Sequence, residues 1–166
     1  MEYGYAVIMP KCCAEGISME IIKELVHEGF KEQPLTSLIC VCDISGEDVR
    51  LILDKTSNKQ LCDSAKKDIK SAVVPIFVKG VDACKRLNEI AKKYNDNLSE
   101  TNRYNDNMYV SYNQEEAIAD FCEYIEVEDF SQIEDKLFNK DTNGVYPYDF
   151  GALKEYCKQN KLTKLR

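Results

Sequence analysis

Apolar residues run from Tyr5 to Met9 and stop at Pro10, which cannot continue a sheet ladder, so a short buried strand is expected there. Residues 11–16 read as a loop. From Ser18, a good N-cap residue, Ile21, Ile22, Leu25 and Val26 recur on one helical face until Gly29 ends the pattern. Residues 34–42 (PLTSLICVC) are rich in β-formers and predict a second strand. Ser45 or Gly46 opens a helical pattern with Val49, Ile52 and Leu53 on one side, and a further short helix is expected over 59–70. Residues 72–78 (AVVPIFV) form the next expected strand, in which Pro75 argues for an edge or a bulge. Ala83, Leu87, Ile90 and Ala91 predict a helix over 81–94. After the polar stretch 95–107 come a strand over 108–112 and a helix over 115–125, with Ala117, Ile118, Phe121 and Cys122 facing inward.

This order predicts an α+β fold, a ferredoxin-like βαββαβ antiparallel sheet with helices on one side. The expected domain spans 1–126. Residues 127–166 form a C-terminal extension, with a weak helix over 127–138, a turn-rich stretch to Tyr148 and a helix capped by Asp149 that contains Leu153, Tyr156 and Cys157. The extension is expected to pack on the domain or on a neighbouring subunit.

Composition narrows the function classes. The 166 residues, 44% of them hydrophobic, suffice for one domain with an ordinary core. No apolar run approaches the roughly 20 residues that span a bilayer, so a soluble cytoplasmic protein that avoids membranes is expected. A net charge of −7 disfavours nucleic acid, which selects a clustered basic surface. The eight cysteines contain no C-x-x-C pair and are spread through apolar segments, so they read as reduced, buried thiols.

The strand, proline turn and helix of residues 3–31 resemble the opening of the nucleoside diphosphate kinases. Those enzymes begin with an apolar strand, Lys-Pro-Asp-Ala, a later glycine, and a Glu-Ile-Ile helix ending in Gly-Phe. Pro10, Gly16, Glu20, Ile21, Ile22, Gly29 and Phe30 stand at the same spacing. Further on, AVVPIFVKG is similar to the family's Val-Val-Ala-Met-Val strand and following glycine. NMYVSYNQEEA is similar to its Asn-x-x-His-Gly-Ser-Asp-x-x-Glu-x-Ala motif, and residues 44–71 match the length of its helical hairpin. The likeness extends to about residue 125.

What the resemblance implies for chemistry is mostly loss. The family's phosphorylated histidine falls at Val110, and an isopropyl group has no lone pair with which to act as a nucleophile. The phosphate-contacting lysine falls at Met9, the hairpin tyrosine near Leu53, the helix arginine at Asn88 and the threonine at Tyr94. This leaves no catalytic residue. Lys11, Arg103 and Asn107 remain as nucleotide-binding candidates, with a magnesium nucleotide as the ligand if the cleft is retained. Because phosphoryl transfer rests on positioning and charge stabilisation, the first expectation is an inactive binding or assembly module. The alternatives are a nucleoside diphosphate phosphotransferase with a rearranged site, and an unrelated small-ligand or thiol protein on the same fold. The family also implies a homodimer or larger homo-oligomer through the second strand and first helix.

Other residues carry reactive or ligating groups of their own. His27, the single histidine, sits near a helix C-terminus, which is reason enough for an imidazole there. Lys11 beside Cys12 and Cys13 would stabilise a thiolate, yet no second catalytic group accompanies them. Cys40 and Cys42 face one side of a strand without the tight turn that zinc sites use, so no metal is expected. Ser111 and Tyr112 read as ordinary exposed hydroxyls at a strand end. The acidic run Glu115, Glu116, Asp120, Glu123, Glu126, Glu128 and Asp129 reads as a solvated helix face, with a surface for a basic partner as the alternative.

Overall fold

The side chains of the first strand, β1 (Glu2–Ile8), alternate between two apolar layers. Tyr3 and Tyr5 enter one layer while Ala6 and Ile8 enter the other, and all four are buried. The computed structural model describes residues 1–9, 17–29, 31–42, 48–53, 74–94, 108–144, 147–148 and 150–163. After β1 come α1 (Ile17–Gly29), β2 (Thr36–Cys42), β3 (Asp48–Leu53), β4 (Val74–Gly80), α2 (Ala83–Lys92), β5 (Met108–Val110) and α3 (Gln114–Ile125). Two single turns of 3-10 helix (Phe130–Gln132 and Glu134–Lys136) and α4 (Phe150–Gln159) complete the order. Among the described residues no helix is long and apolar enough to cross a membrane.

The strands form one antiparallel sheet in the order β3-β2-β4-β1-β5. β1 and β2 flank β4 and both run antiparallel to it, so α1 joins two parallel strands with a third between them. α2 joins β4 to β5 across β1 in the same way. Two such split units make an α+β fold compatible with the ferredoxin-like plan, to which β3 adds an outer strand.

Helices cover both faces of the sheet, not one as the element order had predicted. The reason is that β1 and β4 are apolar on both sides, so each face must be buried. Ile21, Ile22 and Leu25 of α1 and Leu87 and Ile90 of α2 pack over Ala6, Ile8, Ile76 and Val78. On the opposite face Phe121 and Ile125 of α3, Ile133, Leu137, and Phe150 and Leu153 of α4 pack around Tyr3, Tyr5 and Phe77. The rings of Phe77 and Phe121 stack there at 3.9 Å between centroids and 7° between planes. Residues beyond 126 thus share the core of the sheet.

Local expectations change in four places. Val49, Ile52 and Leu53 lie in a strand, not a helix, because β3 pairs with β2 along Val41–Val49 and Leu38–Ile52, and a short apolar run fits either period. Pro75 belongs to an interior strand, not an edge. The ladder between β2 and β4 covers Thr36 to Ile39 and Ile76 to Lys79, so the proline stands one residue beyond it. The helix expected over 127–138 is two 3-10 turns, the first capped by Asp129, which accepts from the Ser131 N–H at 3.0 Å. Ser18 lies one residue inside α1 and is not its cap. The helix expected over 59–70 and the Asp149 cap fall outside the described residues.

Glycine is needed where elements press together. A Cβ on Gly80, at the end of β4, would meet Leu35 Cδ2 at 2.6 Å and the Pro34 carbonyl oxygen at 3.0 Å. One on Gly4 would sit 3.3 Å from the Ala83 backbone carbon, at the first turn of α2.

Candidate functional site

Val110, at the position of the family's histidine, is the last residue of β5 and pairs with Ala6 of β1. Its side chain is 0% exposed, within the layer that α1 and α2 cover. Met9 follows β1 directly and is half-buried. Asn88 of α2 gives its amide to two backbone carbonyls, that of Cys84 at 2.8 Å and that of Ser111 at 3.4 Å. Tyr94, two residues past α2, packs against the same apolar layer as Val110. These four positions offer no cation to a phosphate. Leu53, where a helical hairpin would carry a tyrosine, ends a strand. Lys11, Arg103 and Asn107, together with Cys12 and Cys13, lie outside the described residues. The side chains of Cys40 and Cys42 do also.

His27 is exposed on α1, beside a shallow hollow bordered by Glu20, Lys23, Glu24 and Tyr94. Among the described residues no group of three His, Cys, Asp or Glu side chains is arranged to hold a metal ion.

A polar cluster that the sequence reading did not anticipate joins β5 to α3. Glu116 and Asp120 stand four apart on α3 and so share a face. The Tyr109 hydroxyl lies 2.8 Å from Glu116 Oε1 and 2.6 Å from Asp120 Oδ2, and the Ser111 hydroxyl donates to Asp120 Oδ2 at 2.7 Å. Ser111 is therefore not an exposed strand-end hydroxyl but a wholly buried one, closed to any substrate. Glu116 and Asp120 are half-buried, not part of a solvated face. Burial, and then the hydrogen bonds to Asp120 and Glu116, push the Tyr109 phenol well above its ordinary range. The signal was present in the sequence as two carboxylates at i and i+4 after a tyrosine strand, but only the packing of α3 on β1 brings them together.

A groove of about 560 Å³ runs along the outer side of α2. Its floor is held by β1. Asp82, the residue before α2, has a left-handed φ of 52° and makes no side-chain cap, so Glu2 supplies the acceptor, taking the Cys84 N–H at 2.8 Å. The Tyr3 N–H donates to Gln114 Oε1 at 2.9 Å, and Asn113 caps α3 by accepting the Glu116 N–H at 2.9 Å. Cys84 borders the groove, yet burial, with Glu2 adding to it, pushes its thiol up to about 12. Its Sγ donates to the Tyr3 carbonyl at 3.0 Å, so it is no nucleophile at neutral pH. Tyr112 is 45% exposed at the rim.

No family model, curated protein or solved structure matches this chain.

Proposed function

We propose that the chain is a cytoplasmic nucleoside diphosphate kinase-like module that binds or assembles and does not transfer phosphate. Val110 carries the reading. The position that would hold the phosphorylated histidine has an aliphatic side chain sealed in the core, where neither water nor a nucleotide reaches it. Asn88, at the arginine position, already spends its amide on backbone carbonyls, and Met9 presents a thioether where a lysine would stand. Losing one electrostatic donor typically costs around 100-fold in rate, and here several are absent together. The buried thiols Cys84 and Cys157, neither in a disulfide, fit a reducing compartment.

Calorimetric titration with ATP and ADP, with and without magnesium, followed by a phosphotransfer assay, tests the reading. The expected result is no turnover. Saturable nucleotide binding would define a nucleotide-binding module and make Arg103 and Asn107 the next substitutions, while heats equal to buffer would leave an assembly module. Turnover, or an acid-labile phosphoenzyme, would overturn the proposal.

A further inference from the structure

The wall of the groove carries an ordered stripe of charge. Asp82, Lys85, Glu89 and Lys92 all border it, all are exposed, and they alternate in sign along α2. At 100° per residue Lys85, Glu89 and Lys92 fall within an arc of about 60° of the helix surface, and Asp82 stands just before its first turn. Residues at i+3 and i+4 can pair within a helix, yet among the described residues none of these four side chains makes an ion pair. Asp82 with Lys92 and Lys85 with Glu89 are both centred on position 87. A two-fold axis beside that position sets an antiparallel copy of the stripe so that every acid meets a base at once.

We infer that this face of α2 is a contact surface for a second copy of the chain, arranged isologously. Asp82 meets Lys92 of the other copy, and Lys85 meets its Glu89. Asn88 lies next to the axis. Tyr112, the exposed ring at the rim, supplies the apolar contact that rim charges lack. In this pairing no like charges are opposed. The contact rests on exposed charges, so it is weak and serves to select partner and register more than to hold them. It stands whether or not a nucleotide binds.

Sedimentation equilibrium at low salt, on the full chain up to about 500 µM, tests it, since weak contacts of this class dissociate in the high micromolar range. The unmodified chain is expected to dimerise, and Lys85→Glu to leave it monomeric. Glu89→Lys alone is also expected to abolish the dimer, although it moves the net charge from −7 to −5 and so lessens general repulsion. The double variant Lys85→Glu, Glu89→Lys restores the pairing between positions 85 and 89 with the signs exchanged and is expected to dimerise again. All three substitute exposed positions, and unchanged thermal melting shows that folding is intact. A monomer at every concentration would overturn the inference. So would a dimer that both single reversals leave unchanged, which would place the contact on another face such as β2 and α1.

Discussion

The Arg86 guanidinium of α2 donates through Nε to Glu28 Oε2 at 2.7 Å, joining the start of α2 to the end of α1. Glu28 is only 7% exposed, so its charge depends on that partner and on Lys31. Arg86 also donates to the Gln33 and Val81 carbonyls, at 2.8 and 3.2 Å, and so holds the segment that leads into β2. Arg86→Met is expected to lower stability by about 1.5–3 kcal/mol, the range for a hydrogen bond to a charged group, measured by urea denaturation.

The same pair makes stability pH-dependent. Burial works to raise the Glu28 pKa, but hydrogen bonds and attraction from Lys31 and Arg86 outweigh it and hold the carboxyl below the ordinary 4.5. A carboxyl depressed on folding stabilises the native state above its unfolded value and loses that contribution as pH falls through the folded value. Denaturation midpoints should therefore drop below about pH 4.5. Glu28→Gln should show a shallower drop, and an unchanged acid limb in that variant would assign the effect to other carboxyls.

Placing a histidine at position 110 is not expected to create phosphotransfer chemistry. Val110→His places a larger, polar ring in a closed layer, at a cost of about 1–3 kcal/mol, and leaves Met9 and Asn88 as they are. Thermal melting should fall and no acid-labile phosphoenzyme should form on incubation with radiolabelled nucleoside triphosphate.

Removal of residues 127–166 should expose the sheet face around Tyr3, Phe77 and Phe121, which Phe150, Leu153, Ile133 and Leu137 now cover. A truncated chain is expected to bind the dye ANS and to aggregate, as contiguous apolar surface does. Phe121→Ala in the full chain is expected to cost about 3–5 kcal/mol. A soluble, cooperatively folding truncation would make the extension dispensable to the core.

The Cys84 thiol should resist alkylation. With its pKa pushed up to about 12, the native protein holds almost no thiolate there at pH 8, and iodoacetamide should label it only after denaturation, as read by peptide mass spectrometry.

Periodicity over long elements was enough to read much of this molecule from its sequence. Ile21, Ile22 and Leu25 marked α1, Leu87 and Ile90 marked α2, and Phe121 marked α3, because a helix that buries one face must repeat its apolar residues near 3.6. That Val110 has no lone pair was equally plain, since that depends on side-chain chemistry and not on packing. Tertiary structure decided the rest. Val49, Ile52 and Leu53 fit both periods until β2 offered them a ladder. Pro75 reads as an edge signal unless one sees where the β2 ladder stops. Both faces of the sheet needed cover, which brought residues beyond 126 into the core. Ser111, Tyr109, Glu116 and Asp120 became one hydrogen-bonded cluster only when α3 settled on β1. Local sequence sets which surface of an element is apolar, but what lies opposite that surface is a long-range choice, made by the free energy of burying all the faces together.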